Sequence, residues 1–234
     1  MLDSIANALR IWRAYGASSL STRLRVIGRS FVCPYHAFLH HFPRSGSILD
    51  VGCGDGLLEL LLSWQPQSSQ RTYVGIDHAE DKIDGACLAA IAGARFEVRD
   101  LSAVAPEQFD CVALVDVLYC VPVGEWPAFL AQCSRVLKPG GTLILKEVVD
   151  RPRWKYWFSY LEEILAIKVL KMTQGQSPHF ESEAVYRSAI DGSGSYVAEV
   201  VRLDAGRPYP HCLFVARKPA SDPGQTASAN ESVA

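Results

Sequence analysis

The chain has 234 residues, of which 49% are hydrophobic and 21% are charged. A chain of this length can bury one sizeable core, and its composition excludes a fibrous or wholly disordered protein. Because the formal net charge is only -2, the protein has no overall basic field for a polyanion, and we expect no nucleic-acid partner.

The seven cysteines are odd in number and form no C-x-x-C pair. This pattern disfavours both a disulfide framework and a zinc site, and a reducing, cytoplasmic location is the expectation. No apolar run reaches the roughly 18 residues of a membrane-spanning helix, and the N-terminus lacks the pattern of a secretory signal.

Residues 1–43 are predicted to form a helical extension before the first strand. Five arginines occur here against a single acid, Asp3, and they are Arg10, Arg13, Arg23, Arg25 and Arg29. Three interpretations stay open. The extension lies on an anionic membrane surface, closes over a ligand of the following domain, or is a transit peptide.

Three histidines, His36, His40 and His41, close this extension. Their spacing suits a metal ion only with further ligands that the sequence does not identify, so we expect no metal. A wall of the active site, or a base that reaches it, is the function that we assign to His41.

Strands and helices then alternate along the chain. Seven strands are predicted, at 47–52, 72–77, 94–99, 109–116, 141–148, 196–203 and 211–218. Helical patterns between most of them predict an α/β fold with a Rossmann-like, doubly wound and mostly parallel sheet. The segment between the last two strands is too short for a crossover helix, so one C-terminal strand is expected to be antiparallel.

The turn after the first strand, "ILDVGCGDG" at 48–56, has three glycines that let a ligand approach the backbone: Gly52, Gly54 and Gly56. Leu57 stands where a dinucleotide fingerprint requires a third small residue. The carboxylate of Asp50 would repel a pyrophosphate but could hold an ammonium group. Asp77, which ends the second strand, would accept hydrogen bonds from ribose hydroxyls. The pattern therefore favours a nucleoside that carries an amino group.

These motifs, with "VRDL", "FDCVALVDVLYCVP" and "VLKPGGTLILKE" further along, resemble those of class I S-adenosylmethionine-dependent methyltransferases over residues 44–148. The resemblance implies S-adenosylmethionine as the cofactor and a methyltransferase domain at 44–218. The cofactor-binding residues that it implies are Asp50, Gly52, Cys53, Gly54, Gly56, Asp77, His78, Asp100, Leu101 and Asp116.

Within that set, Asp50 and the glycine turn would serve the methionine part and Asp77 the ribose. Asp100 and Leu101 would border the adenine, and Asp116 would lie beside the methionine or the transferring methyl group. Cys53 is interpreted as a small residue of the turn and not as a nucleophile.

Methyl transfer requires mainly that the acceptor be aligned with the S-methyl bond and that water be excluded. Two candidate catalytic residues follow the fourth and fifth strands, Tyr119 in "DVLYCVP" and Lys146 in "LILKEV". Tyr119 either faces the sulfonium or the acceptor, or packs in the core. Lys146 either pairs with Glu147, Asp150 or an acidic substrate, or lies at a solvated strand end.

A helical lid is predicted at 151–192, because aromatic residues crowd 154–160 and leucines and isoleucines follow at helical spacing. This lid would offer a hydrophobic wall to the substrate, or would pack on the sheet or form a dimer face. With "GRPYPHCLFVARK" near the end, it also resembles small methyltransferases of polyketide, aryl-polyene or lipid pathways. The tail at 219–234 is rich in small and polar residues and is predicted to be disordered.

The expected function is methyl transfer from S-adenosylmethionine to a small hydrophobic, aromatic or acyl metabolite, on oxygen or carbon. We expect a cytoplasmic enzyme, with peripheral membrane contact through the N-terminal helix and a homodimer as further partner hypotheses. Two other classes stay open: a non-catalytic methyltransferase-like binding subunit, and a nicotinamide-dependent reductase. The reductase is disfavoured by Leu57 and by the lack of a Tyr-x-x-x-Lys pair.

Overall fold

A computed structural model describes residues 2–150, 180–205 and 209–220. Its seven strands form a single sheet in the order β3-β2-β1-β4-β5-β7-β6. The strands are β1 (Gly46–Val51), β2 (Arg71–Asp77), β3 (Ala94–Val98), β4 (Phe109–Val115), β5 (Leu137–Val148), β6 (Tyr196–Arg202) and β7 (His211–Arg217).

The pairing of these strands confirms the predicted Rossmann-like sheet. Strands β1 to β5 pair in parallel, whereas β7 runs antiparallel to both β5 and β6. Strand β5 begins earlier than predicted, because Leu137 already pairs with Phe109 before the register shifts. One reversed strand therefore lies in the C-terminal half of the sheet.

Helices cover both faces of the sheet. They are α1 (Leu2–Ala14), α2 (Leu20–Val32), α3 (Tyr35–Phe38), α4 (Leu57–Ser63), α5 (Glu80–Leu88), α6 (Trp126–Val136) and α7 (Glu183–Asp191). Ile48 and Ile144 pack into one core with α1 to α4, and Leu49 and Leu145 into a second core with α6 and α7. The central strands are therefore apolar on both faces, as expected of a covered parallel sheet.

The predicted N-terminal extension contains α1, α2 and α3, followed by a short 3-10 turn at Leu39–His41. Most of the predicted lid, 151–179, lies outside the described residues, and so does the tail from 221 onward. Helix α7 falls at the end of the predicted lid. In the described stretches no helix has both the length and the apolar character needed to cross a membrane.

Candidate active site

The turn between β1 and α4 is fixed to the end of β2 by backbone and side-chain hydrogen bonds. Gly52 N donates to Ile76 O at 2.8 Å, and Gly54 N donates to Asp77 Oδ2 at 2.9 Å. The other carboxylate oxygen of Asp77 accepts from Ala79 N at 2.9 Å. Asp77 therefore orders the turn, and each of its oxygens keeps a second lone pair for a ligand hydroxyl.

The three glycines of the turn all have positive φ angles, but their surroundings differ. A Cβ atom on Gly52 would lie 2.7 Å from Val117 Cγ2, and one on Gly56 would lie 2.7 Å from Phe96 Cζ. On Gly54 the nearest atom would be 3.9 Å away. That atom is Cδ of Lys82, on a flexible side chain, so Gly54 is the least crowded of the three glycines and the one at which a ligand can best approach the backbone.

Two carboxyl groups lie buried beside this turn. Asp50 on β1 is 3% exposed, and Glu59 in the first turn of α4 is 1% exposed. Burial raises the pKa of Asp50 well above its usual value and that of Glu59 to about 7. Glu59 was not among the site residues predicted from the sequence, although it is the lone acid in the apolar run "LLELLL".

Cys53, the remaining residue of the turn, is also buried. Burial and the nearby carboxyls raise the pKa of its thiol far above the usual value. A thiol of this kind stays protonated at neutral pH, which agrees with its interpretation as a small turn residue.

The residues expected beside ribose and adenine lie at the ends of β2 and β3. Leu101 is buried, whereas His78 and Asp100 are exposed, with 4.0 Å between His78 Nε2 and Asp100 Oδ2. Asp100 Oδ1 accepts from Ser102 N at 2.7 Å, and hydrogen bonds from Ser102 lower the pKa of Asp100. This part of the site combines one apolar contact with solvent-exposed polar groups.

Beyond β4, Asp116 lies in a compact group of charges. Lys146 Nζ is 2.5 Å from Asp116 Oδ1, and Arg29 Nη2 is 3.5 Å from Asp116 Oδ2. Burial acts to raise the pKa of Asp116, but the charges of Lys146 and Arg29 outweigh it and lower that pKa. Lys146 is fully buried, so its interpretation as a solvated strand end was wrong. Its partner Asp116 was not among those expected.

Glu147, the next residue of β5, holds the segment that carries Tyr119. Its Oε1 accepts from Val117 N at 2.9 Å and from Leu118 N at 2.7 Å. The ring of Tyr119 stacks on Phe180 with 5.6 Å between centroids. Burial, followed by the charge of Asp116, raises the pKa of Glu147 to about 8.

The N-terminal extension packs directly against this site. Arg25 makes a two-pronged bond to Asp55 in the glycine turn, with Nε at 2.7 Å and Nη2 at 2.6 Å. Tyr15 donates to Asp55 O at 2.7 Å, and Arg29 Nη2 donates to Val115 O at 2.8 Å. These contacts favour the interpretation in which the extension closes over the ligand.

His41 lies apart from these residues. Its Nδ1 is 3.6 Å from Glu199 Oε2 on β6, which lies four strands from β1 and two from β5, or about 19 Å and about 10 Å at the usual strand spacing. Burial and His40 lower the pKa of His41. Among the residues with described side chains, no three His, Cys, Asp or Glu groups form a metal-ligand cluster.

The methyltransferase domain family matches residues 27–183, which is more than half of the chain. The chain belongs to this family. The match covers the glycine turn, the carboxyl groups beside it and the charged group around Asp116, and it confirms the predicted resemblance.

Known relatives of this methyltransferase include the ubiquinone biosynthesis O-methyltransferases of Pseudomonas putida (strain F1) and Neisseria meningitidis. The first is 32% identical over 132 residues, which are 53% of this chain and 52% of that protein. The second is 30% identical over 134 residues, which are 54% of this chain and 52% of that protein. The chain thus spans about half the length of the curated relatives that it matches.

Solved structures share the fold of this methyltransferase. An S-adenosylmethionine-dependent methyltransferase from Methanosarcina mazei has a TM-score of 0.61 at 22% identity, covering 81% of this chain and 99% of that chain. Magnesium protoporphyrin IX methyltransferase from Synechocystis, with S-adenosylhomocysteine bound, has a TM-score of 0.57 at 20% identity, with 79% of each chain covered.

The methyltransferase family of the chain confirms S-adenosylmethionine as the predicted cofactor, and the local chemistry of the chain fits it. Gly54 leaves room for the ligand, and the acids Asp50 and Glu59 suit a cationic end. Asp77 has lone pairs for ribose hydroxyls, and Leu101 offers an apolar surface. The individual roles of these residues remain predictions.

Proposed function

We propose that this protein transfers the methyl group of S-adenosylmethionine to an ionisable oxygen of a small hydrophobic or aromatic metabolite. The observation that carries this proposal is the charge balance around Asp116. Lys146 and Arg29 both lie within 3.5 Å of one carboxylate. Burial and the charge of Asp116 raise the pKa of Glu147 to about 8, which favours its neutral form near pH 7. The group therefore holds two cations against one anion.

An excess positive charge favours an acceptor that reacts as an anion. A hydroxyl group placed beside it loses its proton more readily, because the oxyanion is stabilised where water is scarce. A protonated amine would be disfavoured at the same place. Enolates would also be favoured, but the O-methyltransferase relatives support oxygen over carbon as the acceptor atom.

The aromatic residues next to these charges supply the hydrophobic part of the proposed acceptor site. Tyr119 stacks on Phe180, and the Tyr35 hydroxyl receives a hydrogen bond of 3.1 Å from Arg29 Nε. A flat substrate could lie against this wall with its oxygen toward the cations. We therefore assign Tyr119 to substrate alignment and Lys146, with Arg29, to charge stabilisation.

The reaction when cofactor is bound is a displacement at the sulfonium, which activates the methyl group without help from the protein. The remaining tasks fall to the chain. Asp50 and Asp77 bind and orient the cofactor, and α2 excludes water from the turn through Arg25. Alignment supplies most of the rate in such a reaction.

The test is transfer of labelled methyl groups from S-adenosylmethionine to three matched acceptors, a hydroxyaromatic compound and its amine and carboxylate analogues. We expect the hydroxyl and carboxylate compounds, which both react as oxyanions, to be methylated faster than the amine. Preference for the amine would contradict the proposed charge stabilisation. Cofactor binding with no transfer to any acceptor would favour the non-catalytic binding subunit.

For partners, we propose the membrane contact at one side of α2. Leu20, Leu24 and Phe31 recur at helical spacing there, and all three are exposed. Sedimentation with anionic vesicles tests this surface, and Leu24→Glu should weaken any binding.

The homodimer hypothesis is tested by light scattering of the purified protein.

A further inference from the structure

Asp50 and Glu59 form an unusual pair of acids in the interior of the protein. They lie on different elements, β1 and α4, and both are buried. If both are ionised, Oε1 and Oε2 of Glu59 have no hydrogen-bond partner in the described part of the chain. A buried carboxylate without a donor is costly, so its protonation state requires an explanation.

The surroundings of the pair provide little compensating charge. The ionisable groups that face it come from every neighbouring element: Tyr15 on α1, Arg29 on α2, Cys53 in the turn, Tyr73 and Asp77 on β2, and Cys111 on β4. The single cation in this set, Arg29, acts on Asp50 and is already bonded to Val115 O.

Two buried carboxyls in contact cannot both ionise cheaply, and one of them keeps a proton. Each of the two has a raised pKa, chiefly because of burial. A proton between them also supplies the donor that Glu59 otherwise lacks. In the protein without ligand, the pair therefore carries at least one proton at acidic and neutral pH.

We propose that Asp50 and Glu59 together receive the ammonium group of the cofactor, and that cofactor binding releases the proton that they share. This inference rests on the cofactor of the proposed function. Asp50 lies directly before the turn in which Gly54 is the least crowded glycine. A bound ammonium group replaces the proton as the counter-charge and lets both carboxyls ionise.

The charges balance in this exchange. One proton leaves to solvent, one ammonium charge enters, and no covalent bond changes. The sign of the pH effect follows. Below about pH 7, the pKa of Glu59, binding has to displace a proton, so affinity falls as the pH is lowered. The ammonium group itself stays charged throughout this range, because α-amino groups titrate at about 8.

The test is calorimetry of S-adenosylhomocysteine binding to the full chain at pH 6 and pH 7, each in two buffers of different ionisation enthalpy. For the wild type we expect release of nearly one proton at pH 6 and affinity on the order of tenfold weaker than at pH 7. Glu59→Gln should release fewer protons than the wild type and depend less on pH, because Asp50 alone can then hold a proton.

Glu125→Gln is the matched control, because Glu125 is exposed at the start of α6, and it should behave as the wild type. Proton release in Glu59→Gln equal to that of the wild type would overturn the role of Glu59. Binding by the wild type that does not depend on pH would also overturn the proposal, and this measurement requires no variant. Absence of binding at either pH would instead overturn the cofactor assignment, so the two failures are distinguishable.

Discussion

Buried charges are balanced in opposite ways in two groups of residues at the carboxyl ends of the strands, one beside β1 and one beside β4 and β5. Beside β1, Asp50 and Glu59 lie together with few cations, and burial raises the pKa of both. Beside β4 and β5, two cations surround the carboxylate of Asp116 and lower its pKa. The group beside β1 has an excess of carboxyl groups, and the group beside β4 and β5 has an excess of cations. This difference matches a cofactor with a cationic end and an acceptor that reacts as an anion.

The backbone differs between the two groups as well. The turn after β1 reaches positive φ with glycines, whereas Asp116 after β4 has a φ of 57° with a side chain present. A non-glycine residue in this region costs on the order of 1–2 kcal/mol. Asp116 N donates to Lys146 O at 2.9 Å, which helps to hold this conformation. Strain of this kind is characteristic of functional positions.

The largest expected effect comes from breaking the charge group around Asp116. Lys146→Met keeps most of the side-chain volume but leaves Asp116 with Arg29 alone. Removal of one partner of a buried ion pair costs about 3–5 kcal/mol in the free energy of unfolding. Urea denaturation measures the loss. Lys138→Met, which breaks an exposed pair with Asp110, is the control and should cost at most about 1 kcal/mol. Equal losses would contradict this account.

Two substitutions in the glycine turn separate an effect on ligand binding from an effect on the stability of the protein. Gly54→Ala and Gly56→Ala incur similar positive-φ strain, but only the methyl group of the second meets Phe96. We expect Gly56→Ala to lose about 1–3 kcal/mol more stability. Gly54→Ala should instead weaken S-adenosylhomocysteine binding by at least about tenfold, or about 1.4 kcal/mol. Calorimetry and thermal unfolding measure the two effects, and a stability loss in Gly54→Ala as large as in Gly56→Ala would refute this distinction.

A smaller effect is expected where α2 joins the turn. Arg25→Met removes both hydrogen bonds to the buried carboxylate of Asp55 and should cost about 1–3 kcal/mol. Cofactor affinity should fall several-fold, because the turn is less ordered. The exposed Arg13 offers a control, and Arg13→Met should change stability by less than about 0.5 kcal/mol. Denaturant unfolding that gives the same result for both variants would show that α2 is not held by Arg25.

The smallest expected effect is the change in stability between pH 7 and pH 8 that is due to Glu147. Its folded pKa of about 8 lies above the unfolded value, so the native state holds a proton that the unfolded state has lost. Stability therefore falls as the pH rises from about 4.5 to 8, and Glu147→Gln removes this slope. From pH 7 to pH 8 the difference is on the order of 1 kcal/mol or less. Parallel unfolding profiles of the two proteins would exclude this role.

Much of the fold was predictable because its signals are local. Strands β1 to β4, β6 and β7 begin and end within one residue of their predicted ranges. The helix after the glycine turn was also correctly placed. Strand β5 was the exception, since its early start depends on pairing between Leu137 and Phe109, which are far apart in sequence.

The candidate site was predictable only in part. The acids Asp50, Asp77 and Asp116 follow from their positions at strand ends, where a doubly wound fold binds its ligands. Glu59 was missed although it is the lone acid of an apolar run, and Arg29 was missed because nothing in its helical pattern distinguishes a buried charge from an exposed one. Lys146 was correctly singled out, but its partner Asp116 lies 30 residues away in the chain.

The sequence by itself determined the order of strands and helices, the reversed C-terminal strand, and the glycine turn with its cationic ligand. These features depend on periodicity and on residues that are adjacent in the chain. Only the tertiary structure decided which charges meet: Glu59 with Asp50, Arg25 with Asp55, and Lys146 with Asp116. The physical reason is that protonation and ion pairing depend on burial and on distances between elements, which packing alone sets.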